Sequence, residues 1–253
     1  ATLPAASGVG AKAATANTVP VVDLGNPDEA AVAQALWEAA STVGFFSVVN
    51  HGIPLDQIYD TFACSNAFFA QSLEDKEAQS PFKPQLNSGF EHMTQVRPST
   101  GLPDVKESMQ ITARGEAMEG RWPAHPADFE SRSRGFMTAA HSLGARILSL
   151  LEPRACPNNV PGTLANSHAL WGDDGQCTLR MLHYPPMTQA QLADLPPGSW
   201  RAGAHTDWCC ITLLFQKMGE TGLECAANPR SGSTEWAPVD PVAGGMPVKV
   251  GGL

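Results

Sequence analysis

The sequence predicts an α+β protein with a mainly β core, in which a helix-rich N-terminal region leads into an antiparallel double-stranded barrel. Three observations carry this reading. Apolar residues recur at helical spacing through residues 27–41, 55–73 and 126–151. After Pro153 the texture changes to short β-branched and apolar runs separated by Pro and Gly turns. At 253 residues, 43% hydrophobic and 16% charged, the chain can bury the core of one ordinary domain or two small ones.

Element by element, residues 1–18 are rich in Ala, Ser, Thr and Gly without an acid, and read as a flexible tail. Val19 to Leu24 is a β-branched strand. Asn26-Pro27 then supplies an N-cap and a first-turn proline for a helix to Ser41, whose Val32, Leu36 and Ala39-Ala40 recur on one face. Gly44 stops that helix before the strand Phe45–Val49, and Asn50-His-Gly-Ile-Pro54 is turn chemistry, in which His51 reads as a hydrogen-bonded structural residue. A helix over 55–73 follows. The stretch 126–151 forms a long helix with Phe136, Ala140, Leu143, Ile147 and Leu151 in one stripe. Strands are predicted over 178–184, 202–207, 210–215, 222–226, 235–239 and 248–250. The resulting division is a tail (1–18), a helix-rich region (19–153) and a β core (154–253).

Charge narrows the function classes. Sixteen Lys and Arg against 25 Asp and Glu give a formal net charge of −9, and the basic residues are scattered, which disfavours nucleic acids and anionic membranes as partners. No apolar stretch reaches the roughly 18 residues that span a bilayer, and no secretory signal is evident. A cytoplasmic setting follows as the expectation, with an organelle as the alternative that the Ala/Ser/Thr-rich start suggests. The six cysteines show no CxxC spacing and several lie in apolar runs, as buried structural thiols do. There is no GxGxxG, P-loop or GxSxG motif, which removes the usual dinucleotide, nucleotide and serine-hydrolase readings.

The strongest chemical signal is His205-Thr-Asp207, set in Arg201-Ala-Gly-Ala-His-Thr-Asp-Trp208. In an extended strand alternate side chains share a face, so His205 and Asp207 would converge on one metal ion. They are two of the three ligands of a two-histidine, one-carboxylate iron site. No histidine follows His205 in the sequence. Cys209 and Cys210 come close behind, but neighbouring strand residues face opposite ways, and their apolar context favours packing.

Six segments in order resemble the iron(II) and 2-oxoglutarate-dependent dioxygenase superfamily, in particular the branch that includes isopenicillin N synthase. They are Val19-Pro-Val-Val-Asp-Leu24, Gly44-Phe-Phe-Ser-Val-Val-Asn-His-Gly-Ile-Pro54, Leu182-His-Tyr-Pro-Pro186, Gly203-Ala-His-Thr-Asp207, Gly222-Leu-Glu-Cys225 and Trp236-Ala-Pro-Val239. The resemblance implies a double-stranded β-helix, or jelly roll, with Fe(II) on His205 and Asp207. It also implies 2-oxoglutarate as cosubstrate, held near Tyr184 and Arg180, with dioxygen and a small organic molecule as the other reactants. Hydroxylation is the default outcome, desaturation or cyclisation the variants, and succinate and CO2 the coproducts. Some relatives in that branch use ascorbate or substrate electrons in place of 2-oxoglutarate. Substrate identity and oligomeric state are not implied.

Departures from the family pattern are equally specific. Where members commonly read Asn-x-Gly-Asp, this chain reads Lys249-Val-Gly-Gly252, and the distal histidine and its Arg-x-Ser companion do not occur after Asp207. Two expectations therefore stand side by side. One is an oxygenase of which this sequence is an incomplete representation; the other is a catalytically inactive jelly-roll scaffold or binding protein.

Overall fold

The structure is a computed structural model that describes residues 19–96, 101–226 and 235–251. The tail predicted over 1–18 lies outside the described residues. The chain divides into two compact units, each assembled from segments distant in sequence.

The first unit comprises Asp56–His141 and His168–His205. Its sheet holds three antiparallel strands in the order β3 (Gly89–His92), β4 (Glu107–Thr112) and β5 (Thr178–His183). All six residues of the central strand β4 are buried. The helix predicted over 55–73 is two helices, α2 (Leu55–Phe69) and α3 (Leu73–Gln79). The break follows from Ser72, whose hydroxyl accepts the Asp75 amide and so caps a new helix. Against this sheet packs an aromatic cluster of Phe68, Phe69, Phe90 and Phe129 with Met109, Ile111 and Met181. Ring centroids of Phe68 lie 5.2–5.8 Å from those of the other three phenylalanines, in edge-on or tilted geometry.

Residues 19–55, Ser142–Ser167 and the chain from Thr206 onward make up the second unit. Its four-stranded sheet runs β1 (Val21–Asp23), β2 (Phe45–Val49), β9 (Gly245–Val250), β6 (Ile211–Leu213). The β1–β2 pair is parallel because helix α1 (Glu29–Thr42) carries the chain back between them, and the other pairs are antiparallel. Asp28, rather than Asn26, is the N-cap of α1, accepting the Ala31 amide at 3.0 Å. Val32, Leu36 and Ala39 bury the predicted face of α1, and Phe46, Val48, Met246 and Val248 are buried in the sheet. A two-stranded ribbon of β7 (Glu224–Ala226) and β8 (Trp236–Pro238) packs Cys225, Ala237 and Val239 together. The long helix α4 (Phe129–Ala155) contributes residues to both units, with Pro153 in its last turn. Two further short helices, α5 (Thr163–Asn166) and α6 (Gln189–Ala193), complete the described α-helices.

The main local correction falls on residues 202–207, predicted as a strand. They form a loop, and pairing begins only at Ile211. Side-chain bonds replace the ladder: the Gly203 amide donates to Asp104 Oδ1 at 2.9 Å, and His205 Nδ1 lies 2.7 Å from the Gly203 carbonyl. The six cysteines are all free thiols. Among the described residues no helix is long and apolar enough to cross a membrane.

Candidate metal and cosubstrate site

His205 and Asp207 sit on this loop, and the division between the two units falls between them. The face-sharing argument from strand alternation therefore does not apply to them. On the His205 side, the Gly203 carbonyl orients the ring, accepting the hydrogen bond that Nδ1–H donates.

Asp207 is held differently. Thr212 donates its hydroxyl to Oδ2 at 2.6 Å, and Lys249 places its ammonium 2.8 Å from Oδ1. Thr212 and Lys249 face each other directly across the β6–β9 ladder, so one cross-strand pair grips both oxygens of the carboxylate. Lys249 is also opposite Phe45 on β2, with its ammonium 5.9 Å from that ring's centroid. The Lys249 and Asp207 side chains are only 13% and 19% exposed, a setting in which an ion pair is poorly screened. Behind the loop, Gly251 donates its amide to Cys210, and a Cβ on Gly251 would come within 1.8 Å of the Cys209 carbonyl.

As arranged, these residues do not fit a bound iron ion. The Asp207 carboxylate already serves a cation of the protein's own. Among the described residues no group of three or more His, Cys, Asp or Glu side chains could hold a metal.

Of the residues linked to the cosubstrate, Arg180 lies on β5 and donates to Gln110 Oε1 across the ladder and to Gln95 Oε1. Tyr184 is one residue beyond the end of β5 and 41% exposed. His183 is engaged elsewhere: its Nδ1 lies 2.6 Å from Glu107, and its ring stacks on Phe69. The turn residue His51 is buried, and its Nδ1 accepts the Ile53 amide at 3.1 Å, as a structural role requires. Burial pushes its pKa below the usual histidine range.

Sequence reasoning missed Lys249 as a partner of Asp207 and Glu107 as the centre of a buried charge network. A lysine in the middle of the apolar run Met246-Pro-Val-Lys-Val250 was the available signal, since a buried ammonium needs an anion.

Comparison with known proteins relates the chain to a family. Residues 19–129 match the family described as non-haem dioxygenase in morphine synthesis N-terminal. Over 241 residues the chain is 29% identical to the 2-oxoglutarate-Fe(II) type oxidoreductase hxnY of Emericella nidulans, covering 89% of this chain and 65% of that protein. It is 30% identical over 217 residues to the proline hydroxylase buaE of Petromyces alliaceus, covering 80% and 63%. The chain thus spans a little under two thirds of the length of these relatives. Among solved structures, a full-length Neurospora crassa protein in complex with alpha-KG superposes with a TM-score of 0.73 at 26% identity, covering 95% of this chain and 75% of that one. The same Neurospora protein in complex with alpha-KG and thymine gives 0.71 at 26% identity, with 96% and 76% covered.

These neighbours define the fold class as the α+β oxygenase fold with a double-stranded β-helix. The likenesses support the superfamily of iron(II)- and 2-oxoglutarate-dependent oxygenases as the one this chain resembles.

Proposed function

We propose that this chain acts as a non-haem iron(II) oxygenase that couples oxidation of 2-oxoglutarate to succinate and CO2 with hydroxylation of a small organic molecule. Desaturation and cyclisation are the alternative outcomes. The observation that carries the reading is the likeness, over 95% of the chain, to a fold solved with alpha-KG bound. In this reading His205 and, once Lys249 is displaced from it, the Asp207 carboxylate are metal ligands, and Tyr184 and Arg180 contact 2-oxoglutarate. The cationic Arg180 suits a dicarboxylate, which needs charged or multiple donors when it leaves water. Ascorbate is the alternative electron source, in place of 2-oxoglutarate. The Neurospora protein is solved with thymine, and buaE is named a proline hydroxylase; both support a small polar substrate as the class. Six unpaired cysteines support a reducing compartment such as the cytoplasm.

A second reading is favoured by one observation, the Lys249 ammonium on Asp207. In it the chain is a non-catalytic jelly-roll binding protein.

Anaerobic addition of Fe(II) and then 2-oxoglutarate separates the two. A visible charge-transfer band, followed by succinate release on admitting dioxygen, supports the oxygenase. Absence of both, in protein that remains folded, leaves the binding protein. His205→Ala and Asp207→Asn should each abolish the band.

A further inference from the structure

The charge on Asp207 is the starting point. Its two oxygens are taken by a cross-strand pair on β6 and β9, one hydroxyl and one ammonium. Lys249 is in the central part of its sheet, with Phe45 opposite on one side and Thr212 opposite on the other. Its stem is thereby confined, and its head rests on an anion at 2.8 Å with little exposure on either partner. A divalent cation approaching Asp207 meets a fixed positive charge about one atomic diameter from the oxygen it needs.

We infer that Lys249 is an internal counter-ion of Asp207, which a metal ion must displace, so that this one side chain weakens metal binding by the chain. This rests on the assignment of Asp207 as a metal ligand. Two charges a few ångströms apart in a partly buried site repel strongly enough to change an affinity by about tenfold or more. The same lysine neutralises Asp207 when no metal is bound, so the carboxylate is never buried uncompensated. Lys249 acts on the metal through Asp207 and is a positioning residue.

The test is calorimetric titration of the 253-residue chain with Mn(II), comparing wild type, Lys249→Met, Lys249→Arg and His205→Ala. Lys249→Met should bind Mn(II) at least about tenfold more tightly than wild type, and Lys249→Arg, which keeps the charge, should match wild type. A folded Lys249→Met with equal or weaker affinity would overturn the inference. Should that variant fail to fold, wild-type protein labelled with 13C-lysine decides the matter: saturating Zn(II) must move the Lys249 Cε resonance, and an unmoved resonance overturns the inference. The His205→Ala arm keeps the two claims apart. Unchanged affinity there removes His205 from the metal site while leaving the Lys249 comparison intact; no binding by any variant rejects both.

Discussion

Lys76 and Glu107 form an ion pair 2.7 Å long in which each side chain is only 6% exposed. The ammonium also donates to the Phe69 carbonyl and lies 5.1 Å from the centroid of the Phe90 ring, while the other Glu107 oxygen meets His183. Removing one partner strands the other charge inside the protein. Lys76→Met should therefore destabilise the fold by about 3–5 kcal/mol, and the double variant Lys76→Met with Glu107→Leu by clearly less. Urea unfolding of the single and double variants checks this; equal losses would mean that stranded charge is not the cause.

Gly251 is predicted to control the loop that carries Asp207. A methyl group there collides with the Cys209 carbonyl and has the Asp207 carbonyl at 3.1 Å, so backbone must move. Gly251→Ala should cost about 1–3 kcal/mol in thermal or urea unfolding. It should also loosen the Thr212 and Lys249 contacts to Asp207, read as faster hydrogen exchange of the amides around residues 207–212.

Thiol chemistry should separate the cysteines. Burial, with the nearby Asp128 carboxylate adding to it, pushes the Cys64 thiol up to about 11. Burial also raises Cys177, Cys225 and Cys210. At pH 8 iodoacetamide should label the exposed Cys209 first and leave Cys64 unmodified, as peptide mapping by mass spectrometry would show. The raised Cys64 value means that the folded state holds its proton more tightly than the unfolded state. That stability is complete below about pH 9 and is lost as pH rises toward about 11.

Arg180 has both a structural and a proposed binding role, and the two are separable. Arg180→Met leaves Gln110, 1% exposed, without a donor to its Oε1 and should cost about 1–3 kcal/mol. If Arg180 also contacts 2-oxoglutarate, the apparent KM for that cosubstrate should rise at least about tenfold, with a smaller rise for Tyr184→Phe, which loses only a neutral donor. Unfolding that weakens with no change in KM would limit Arg180 to its structural part.

Much of the architecture is legible in the sequence because it rests on periodicity. The face of α1 at Val32, Leu36 and Ala39 and the strand Phe45–Val49 follow from apolar spacing and the Gly44 stop. The segment 202–207 misleads because the alternation of His205 and Asp207 just before an apolar run suits a strand, whereas its Ala and Gly do not favour one and its hydrogen bonds go to Asp104, 99 residues earlier, and to its own Gly203 carbonyl. No local pattern records such a partner. The same holds for Lys249 and Asp207, 42 residues apart, which meet only through the β6–β9 register. Ser72 is the opposite case: a Ser-Leu-Glu-Asp run is a readable cap, and its apolar neighbours concealed it within the longer helical pattern.

The position of β9 between β2 and β6 also bears on synthesis of the chain. Phe45 pairs with Lys249, so β2 waits for a partner that leaves the ribosome roughly two hundred residues later. The β3–β4–β5 sheet closes much earlier, between residues 89 and 183. During translation the nascent chain thus carries one sheet already closed and another with an unfilled slot, and that slot is where a holding chaperone would be needed most.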